Sequence, residues 1–367
     1  MNFVISRDAL LKPLNLVAGV VERRQTLPIL ANVLLVLDGD HLSLTGTDLE
    51  VELVGRVRLA SAGESGELTV PARKLVDICK SLPEGSDIEF KAQDGKVTVK
   101  SGRSRFTLST LPAREFPNVE DSLGTHQLTI KQGQLKRLIE RTGFAMAQQD
   151  VRYYLNGMLW EIQGGQLRVV ATDGHRLAMC TLPEPVEVEG DTQVILPRKG
   201  VLELSRLLLD EGADVSIVIG SNHVRATTED FTFTSKLVDG KFPEYERVLP
   251  RSADKKVLGS RLDLRQAFTR TAILSNEKYR GVRLKLTNDS LEIVANNPEQ
   301  EQAEEVVAVN YQGDSVEIGF NVSYLLDVLG VLSGEEIKLS LSDPNSSALL
   351  EESEGGDSLY VVMPMRL

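Results

Sequence analysis

The sequence predicts an α+β fold in which three tandem copies of one domain each pack two helices on antiparallel sheets. Similar stretches begin at Leu27, Val151 and Tyr279, roughly a third of the chain apart. Each copy also alternates short strand-like segments with helix-like ones. The chain has 367 residues, 41% of them hydrophobic and 26% charged. This composition suits a globular protein with more than one hydrophobic core.

Each copy is predicted to hold two units of strand, helix and further strands. The central hairpins turn at Asp38-Gly39-Asp40, Gly164-Gly165 and Asn288-Asp289. Before each hairpin a short strand leads into a helix whose apolar residues are three to four apart, as in FVISRDALLKPLNLVAGVV. After each hairpin come a strand, a helix, a turn and a strand, as in LTVPARKLVDICKSLPEGSDIEF. One unit cannot cover both faces of its helix, so the two units of a copy must pack together.

The ends of the copies are marked by a shared Phe-Pro pair. Phe116-Pro117 lies in EFPNV and Phe242-Pro243 lies in KFPEY, each close to the start of the next copy. We therefore predict domain boundaries near residues 123 and 252. The predicted domains are 1–123, 124–252 and 253–367.

The chain carries no feature of a membrane or secreted protein. No apolar run reaches the roughly 18 residues that a membrane span needs. The first residues, MNFVISRDALLKPL, lack the long apolar core and cleavage site of a signal peptide. A cytoplasmic protein is expected, in which Cys79 and Cys180 are buried thiols rather than a disulfide.

Charge is segregated along the chain. The net charge is −12, which taken alone argues against a nucleic-acid partner. The helix-like segments 7–24, 72–81, 131–142, 198–207, 261–271 and 321–333 nevertheless carry a net +10, which leaves −22 for the rest. If the helices share one face, that face suits a polyanion bound without a sequence code. The alternative of a repeat scaffold with no DNA role predicts no such segregation of charge.

Helix dimensions limit how the copies could surround a duplex. Helices pack about 9 Å apart, so a ring of six has a circumference of about 54 Å and almost no bore. Twelve helices give a diameter near 34 Å between axes, and about 24 Å is clear after the helix radii are subtracted. A DNA duplex fits that hole. Two chains therefore suit a ring better than one or three.

The stretch VVATDGHRLAM, residues 169–179, raises the alternative of a hydrolase or metal enzyme. Asp173 lies two residues before His175, but this pair does not recur in the repeat. The aligned residues are Asp48 and Asn297 for Asp173, and Glu50 and Glu299 for His175. No paired-histidine metal spacing and no glycine-rich phosphate loop is present. We expect no catalytic residue, metal or cofactor, and we expect Asp173 and Asp48 to cap backbone N–H groups of a turn.

The whole chain resembles the beta subunit family of bacterial DNA polymerase III, the sliding clamps. The resemblance rests on LPILANVLL, TDLEVEL, VRYYLNGM, ATDGHRLA, KFPEY and YVVMPMRL, which occur in the order and at the spacing of the family. It implies DNA-clamp domains arranged as a head-to-tail dimeric ring of six, with helices lining the pore. It also implies a non-enzymatic processivity factor that slides on duplex DNA and tethers the polymerase.

Two sets of contacts follow from the resemblance. The DNA contacts of the family correspond to Arg24, Arg73, Gln149, Tyr153, Tyr154 and Tyr279, with Arg198 and Lys199 as basic neighbours. The dimer seam of the family joins the first domain of one chain to the third domain of the other. At that seam Phe106 and Leu108 are expected to meet Ile273 and Leu274. Arg103 and Arg105 are expected to face acidic residues, which include Glu301, Glu304 and Glu305.

The apolar chain end YVVMPMRL implies a surface that binds it, because free tails are normally polar. In the family it lines a groove for short linear peptides, and methionines adapt such a groove to many ligands. Its partners are replicative and translesion DNA polymerases, the clamp loader, and mismatch-repair and ligase-type proteins. The corresponding residues here are Leu155, Thr172, Gly174, His175, Arg176, Leu177, Pro243, Arg247, Val248, Val361, Val362, Met363, Pro364, Met365 and Arg366.

Overall fold

The computed structural model describes residues 1–21, 26–117 and 124–366. Within these ranges it has six α-helices and 24 strands. The helices are α1 (Arg7–Ala18), α2 (Ala72–Ser81), α3 (Gln132–Thr142), α4 (Arg198–Leu207), α5 (Arg261–Ala272) and α6 (Val322–Val331). The strands of the first copy are β1 (Asn2–Ser6), β2 (Asn32–Asp38), β3 (His41–Thr47), β4 (Val51–Arg58), β5 (Gly66–Pro71), β6 (Asp87–Gln93), β7 (Lys96–Ser101) and β8 (Ser104–Ser109).

The second and third copies contain eight strands each in the same order. Those of the second are β9 (His126–Lys131), β10 (Gly157–Gln163), β11 (Gln166–Thr172), β12 (Arg176–Thr181), β13 (Thr192–Pro197), β14 (Asp214–Ile219), β15 (His223–Thr227) and β16 (Phe231–Lys236). Those of the third are β17 (Lys255–Ser260), β18 (Gly281–Thr287), β19 (Ser290–Asn296), β20 (Gln302–Ala308), β21 (Val316–Asn321), β22 (Glu336–Leu341), β23 (Ala348–Glu352) and β24 (Ser358–Val362). The predicted hairpin turns and the strand–helix order are confirmed.

The chain divides into two compact units. The first holds Met1–Gly133, Glu187–Glu189 and Leu202–Leu237. Its sheets are antiparallel, one of four strands (β1-β6-β7-β8) and one of eight (β5-β2-β3-β4-β16-β15-β14-β9). The second holds Gln134–Val186, Gly190–Val201 and Val238–Leu367. It also has one antiparallel sheet of four strands (β20-β19-β18-β21) and one of eight (β13-β10-β11-β12-β24-β23-β22-β17).

Each copy contributes strands to two antiparallel sheets, and the eight-stranded sheets extend from one copy into the next. In the first unit β4 of the first copy pairs with β16 of the second, with Leu53 opposite Phe233. In the second unit β12 of the second copy pairs with β24 of the third, with Ala178 opposite Tyr360. Each eight-stranded sheet is therefore made of four strands from each of two successive copies. The middle copy contributes strands to both units.

Polar caps begin three of the helices. Ser6 accepts a hydrogen bond from the N–H of Ala9, and Ser260 accepts one from the N–H of Asp263. Asn321 accepts one from the N–H of Ser323 at the start of α6. These side chains satisfy amides that the first helical turn leaves without a partner.

Helix α1 ends earlier than the sequence pattern suggests, at Ala18 rather than near residue 24. It packs closely on β3 and β4 because glycines face it. A Cβ on Gly55 would lie 2.9 Å from the Cβ of Pro13, and one on Gly46 would lie 2.8 Å from the carbonyl of Val17. Such approaches need residues without a side chain.

The helices stay basic when their observed bounds are used. They carry a net +8, which leaves −20 for the rest of the chain. Some of these cations are nevertheless engaged inside the fold. Arg7 Nε donates to the carbonyl of Cys79 at 2.9 Å, and Arg261 Nε donates to the carbonyl of Gly334 at 2.9 Å. Such arginines donate hydrogen bonds to carbonyls near the ends of neighbouring helices. The net charge of the helices therefore overstates the positive charge that is free to contact a polyanion.

Both cysteines are buried and free, as predicted. Burial raises the pKa of the Cys79 thiol and of the Cys180 thiol to about 11. No helix in the described ranges is long and apolar enough to cross a membrane.

Candidate functional site: an apolar cavity beside the Thr172–Arg176 turn

The turn between β11 and β12 is held by side chains that cap its amides. Asp173 Oδ1 accepts hydrogen bonds from the N–H groups of His175 and Arg176, at 2.9 and 3.1 Å. Thr172 Oγ1 donates to the carbonyl of Arg176 at 2.6 Å and accepts from the N–H of Gly174 at 3.1 Å. This turn chemistry confirms the capping role predicted for Asp173.

The first copy contains the same turn. Asp48 Oδ1 accepts from the N–H groups of Glu50 and Val51, at 2.9 and 2.7 Å. Leu49 is the residue of the first copy that corresponds to Gly174, and both have a positive φ, 77° for Leu49 and 88° for Gly174. In the third copy Asn297 Oδ1 accepts from the N–H of Glu301, which closes a turn one residue longer.

The aspartate in this turn therefore serves the backbone. The side chain of His175 is exposed, and no group of three or more His, Cys, Asp or Glu side chains in the described part of the chain is arranged to hold a metal ion. The turn instead forms one edge of a cavity of about 230 Å³. The cavity is lined by Arg152, Tyr154, Leu155, Thr172, Gly174, Arg176, Leu177, Pro243, Glu244, Tyr245, Val248, Ser347, Val361 and Met363.

Nine residues predicted for the peptide groove lie around this cavity. They are Leu155, Thr172, Gly174, Arg176, Leu177, Pro243, Val248, Val361 and Met363. The structure thus brings together the turn, the KFPEY linker and the last strand, which are far apart in the sequence.

The other six predicted groove residues do not line the cavity. Val362 is fully buried next to the lining residue Val361. His175 contributes its carbonyl, which accepts from the N–H of Met363 at 2.9 Å. Arg247 is exposed and forms an ion pair with Glu244. Pro364, Met365 and Arg366 continue the tail, and the N–H of Met365 donates to the carbonyl of Gly319 at 2.8 Å.

The floor of the cavity belongs to a buried apolar cluster. Its members are Leu159, Val170, Leu177, Met179, Ile195, Phe242, Tyr245 and Val361. Tyr245 has a polar anchor, because its hydroxyl donates to Glu161 Oε2 at 2.5 Å and accepts from Arg168 Nη1 at 2.9 Å. Burial, reinforced by the bond to Glu161, raises the pKa of Tyr245 to about 12. A neutral tyrosine fixed in this way gives the cavity a rigid, largely apolar floor.

An arginine fork closes the rim. The Nε and Nη2 atoms of Arg152 donate to the carboxylate of Asp150 at 3.0 and 2.9 Å, and this pairing lowers the pKa of Asp150 to about 2. Arg152 Nη2 also lies 3.3 Å from the carbonyl of Asp173. A Cβ on Gly174 would come within 2.8 Å of that same nitrogen. Gly174 therefore serves both the positive φ of the turn and the approach of Arg152.

Sequence reasoning missed Arg152, Glu244, Tyr245 and Ser347 as cavity residues. Glu244 and Tyr245 lie in the KFPEY stretch, so the signal was present but was interpreted only as a mark of the copy boundary. Tyr154 was assigned to DNA, whereas its half-buried ring packs against the apolar cluster and lies at 5.7 Å, edge to face, from Tyr153. Ser347 lies in a turn of the third copy for which the sequence offers no signal.

The other residues predicted to contact DNA are mostly exposed. Arg73 lies on α2, Gln149 has a φ of 56° in an exposed loop, and Tyr153 and Tyr279 are more than half exposed. Two partly exposed residues begin α4: Arg198, whose Nη1 lies 3.5 Å from the carbonyl of Met146, and Lys199. Arg24 lies outside the described residues.

The residues predicted for the seam lie mainly on two strands at sheet edges. Arg103 precedes β8, which contains Arg105, Phe106 and Leu108. Glu301 precedes β20, which contains Glu304. Among the described residues, β8 pairs only with β7 and β20 pairs only with β19. Ile273 is 75% exposed just after α5, and Leu274 next to it is partly exposed. Glu305 already pairs with Arg270 of its own chain, which holds the pKa of Glu305 below its usual value.

Comparison with known proteins accounts for the whole chain. Family models for the N-terminal, central and C-terminal domains of the DNA polymerase III beta subunit match residues 1–120, 129–244 and 246–366. The beta sliding clamp of Pseudomonas aeruginosa is 67% identical over 367 residues, covering 100% of both chains. A crystal structure of the DNA polymerase III subunit beta from P. aeruginosa matches with a TM-score of 0.97 at 66% identity, and another, bound to griselimycin, matches with 0.98 at 67%. Both structures cover 100% of each chain. The chain therefore belongs to the family of DNA polymerase III beta subunits, the beta sliding clamps.

Proposed function

We propose that two copies of this chain close head to tail into a ring around duplex DNA and bind polymerases through the cavity beside Thr172–Arg176. As a sliding clamp, the chain is a non-catalytic accessory subunit that makes the polymerase processive. The observation that carries the proposal is the pair of open sheet edges, β8 and β20.

The internal repeat predicts which edges meet. The pairs β4·β16 and β12·β24 each join the fourth strand of one copy to the last strand of the next. The fourth strand of the third copy, β20, and the last strand of the first copy, β8, have no such partner within the described residues. Pairing β20 with β8 of the partner subunit would repeat the same junction and complete two eight-stranded sheets. A heterologous contact of this kind closes if the repeat turns through half a circle.

The repeat also predicts the register of that pairing. In the two junctions within the chain, Leu53 faces Phe233 and Ala178 faces Tyr360. The residues at the corresponding positions of β20 and β8 are Ala303 and Phe106. One residue along, Glu304 would face Arg105 of the partner subunit. Opposite charges directly across a strand pair stabilise it and disfavour other registers. This match supports the predicted roles of Phe106, Arg105 and Glu304.

The bore is proposed to bind DNA by charge alone. The basic helices contrast with acidic strands and loops, and the exposed residues Arg73, Tyr153 and Tyr279 suit phosphate and sugar contacts. Contacts without base-specific hydrogen bonds are weak and salt-sensitive, so the ring can slide. Arg24, Gln149, Tyr154, Arg198 and Lys199 remain proposed members of this surface.

The cavity is proposed to take short linear peptides from the replicative and translesion polymerases, the clamp loader, and mismatch-repair and ligase-type proteins. Its apolar floor with a few polar groups at the rim suits a peptide with apolar side chains. Met363 offers a flexible wall, half exposed, that can adapt to different side chains. Griselimycin, which is bound to the P. aeruginosa relative, is proposed to occupy the same cavity here. We further propose domain boundaries near residues 123 and 252 and a cytoplasmic location.

Removing the tail tests the cavity assignment. Deleting residues 363–367 should abolish binding of polymerase-derived peptides and of griselimycin, measured by calorimetry, and should leave the dimer mass unchanged in sedimentation. Unchanged peptide affinity would refute the assignment. A monomer at micromolar concentration in the undeleted protein would instead contradict the ring.

A further inference from the structure

Arg176 has an arrangement that the cavity alone does not explain. Although Arg176 lines the cavity, every nitrogen of its guanidinium has an acceptor elsewhere. Nε donates to Asp173 Oδ2 at 3.2 Å, Nη2 donates to the carbonyl of Phe144 at 2.9 Å, and Nη1 forms an ion pair with Asp327 on α6. The side chain is only 14% exposed.

Two aromatic rings complete this cage. The guanidinium carbon lies 4.5 Å from the ring centroid of Tyr324 and 5.4 Å from that of Phe144. Both distances are within the range of cation–π attraction. None of the four residues that hold the guanidinium, which are Asp173, Phe144, Tyr324 and Asp327, lines the cavity. The charged end of Arg176 is therefore directed away from the cavity, and its aliphatic stem is the part left to line it.

We propose that Asp327 is a positioning residue for the peptide cavity, which keeps the guanidinium of Arg176 out of the space that the ligand occupies. This inference rests on the proposed function of the cavity. Asp327 reaches Arg176 from a helix of the third copy, whereas the turn that carries Arg176 belongs to the second. Ligand affinity thereby depends on how α6 is placed against the turn.

Comparison of the copies shows that the pairing is specific to this cavity. An acid recurs at the position of Asp327, since Asp77 and Glu203 occupy it in α2 and α4. The arginine does not recur. The position of Arg176, at the start of the fourth strand, is occupied by Val51 in the first copy and by Glu301 in the third. Glu203 is paired instead with Arg206 of its own helix, at 2.8 Å.

The loss of Asp327 should therefore act on ligand binding through Arg176. Without its carboxylate, Nη1 loses its charged acceptor, and the long side chain can turn its charge into the cavity. A charge in an apolar cavity opposes the binding of an apolar ligand. We expect Asp327→Ala to weaken griselimycin binding roughly three- to tenfold, because the side chain of Asp327 is 43% exposed and water partly screens its ion pair. Alanine favours helix formation, so α6 should remain folded.

Calorimetry with griselimycin tests the inference by a double-mutant cycle. Asp327→Ala should weaken binding in the native background and change it by less than about 1.5-fold in an Arg176→Met background. Glu203→Ala, the matched acid of α4, should have no effect. An equal loss in both backgrounds would overturn the inference, because the effect would then not pass through Arg176. If the unmodified protein fails to bind griselimycin, the proposed occupant of the cavity is wrong.

A second measurement does not depend on the ligand. The Nη1 protons of Arg176, which face Asp327, should be protected from exchange with water in the native protein and should lose that protection in Asp327→Ala. Unchanged protection would show that Asp327 does not hold the guanidinium, and would overturn the inference even if griselimycin binds.

Discussion

Reversing charges at the proposed seam offers a sharp test of ring closure. In the register derived from the repeat, Glu304 faces Arg105 of the partner subunit, and a closed ring contains this pair twice. Arg105→Glu should place two acids opposite each other at both seams. The double variant that adds Glu304→Arg should restore opposite charges in swapped positions.

The expected magnitude follows from the exposure of both side chains. An exposed ion pair stabilises the dimer by about 0.5 kcal/mol, and two like charges opposite each other across a strand pair destabilise the dimer by a similar amount. Reversal thus costs about 1 kcal/mol at each seam and about 2 kcal/mol for the ring, or a roughly 30-fold weaker dimer. The effect should shrink as salt is raised, because the Debye length falls from about 10 Å at 0.1 M to about 3 Å at 1 M.

Sedimentation equilibrium over a range of concentrations measures this change. Lys91→Glu is the matched control, since Lys91 is exposed on the same sheet but in its interior strand β6. This control should leave the dimer constant unchanged. The register would be refuted if Arg105→Glu behaved like the control, or if the double variant stayed as weak as the single one.

Two further predictions concern the fold. Gly55→Ala should lower the free energy of unfolding by about 1–3 kcal/mol in urea titrations, because its Cβ would press on Pro13 at 2.9 Å. Gly330→Ala in α6 is the control, because its Cβ would meet nothing within 4 Å, and it should not lower the free energy of unfolding. Equal losses of stability in the two variants would contradict the close packing of α1 on Gly55. Neither Cys79 nor Cys180 should react with a thiol reagent at pH 8 in the native protein, since a pKa of about 11 leaves roughly one thiolate in a thousand. Rapid modification of either would contradict their burial.

Local features were readable from the sequence because nearby residues determine them. The hairpin turns, the helices and the capping role of Asp173 all depend on neighbours within a few positions. The alignment of Asp173 with Asp48 was enough to remove the catalytic interpretation, because both side chains cap the same turn.

Long-range features were not readable in the same way. An edge strand and an interior strand can show the same alternation, so nothing in β12 indicates that its partner β24 lies about 180 residues away. The same limit applies to the cage around Arg176, which takes Asp327 from α6, and to Ser347 in the cavity wall. The cavity is composed of segments that only the fold brings together.

Retention on DNA is the most direct test of the central claim, which is that a closed ring holds the duplex by topology. The protein should be loaded onto a nicked circular plasmid and washed at a salt concentration that removes ordinary basic DNA-binding proteins. A closed ring should stay on the circle and be lost promptly once a restriction enzyme linearises the plasmid. Equal rates of loss from circular and linear DNA would contradict a closed ring.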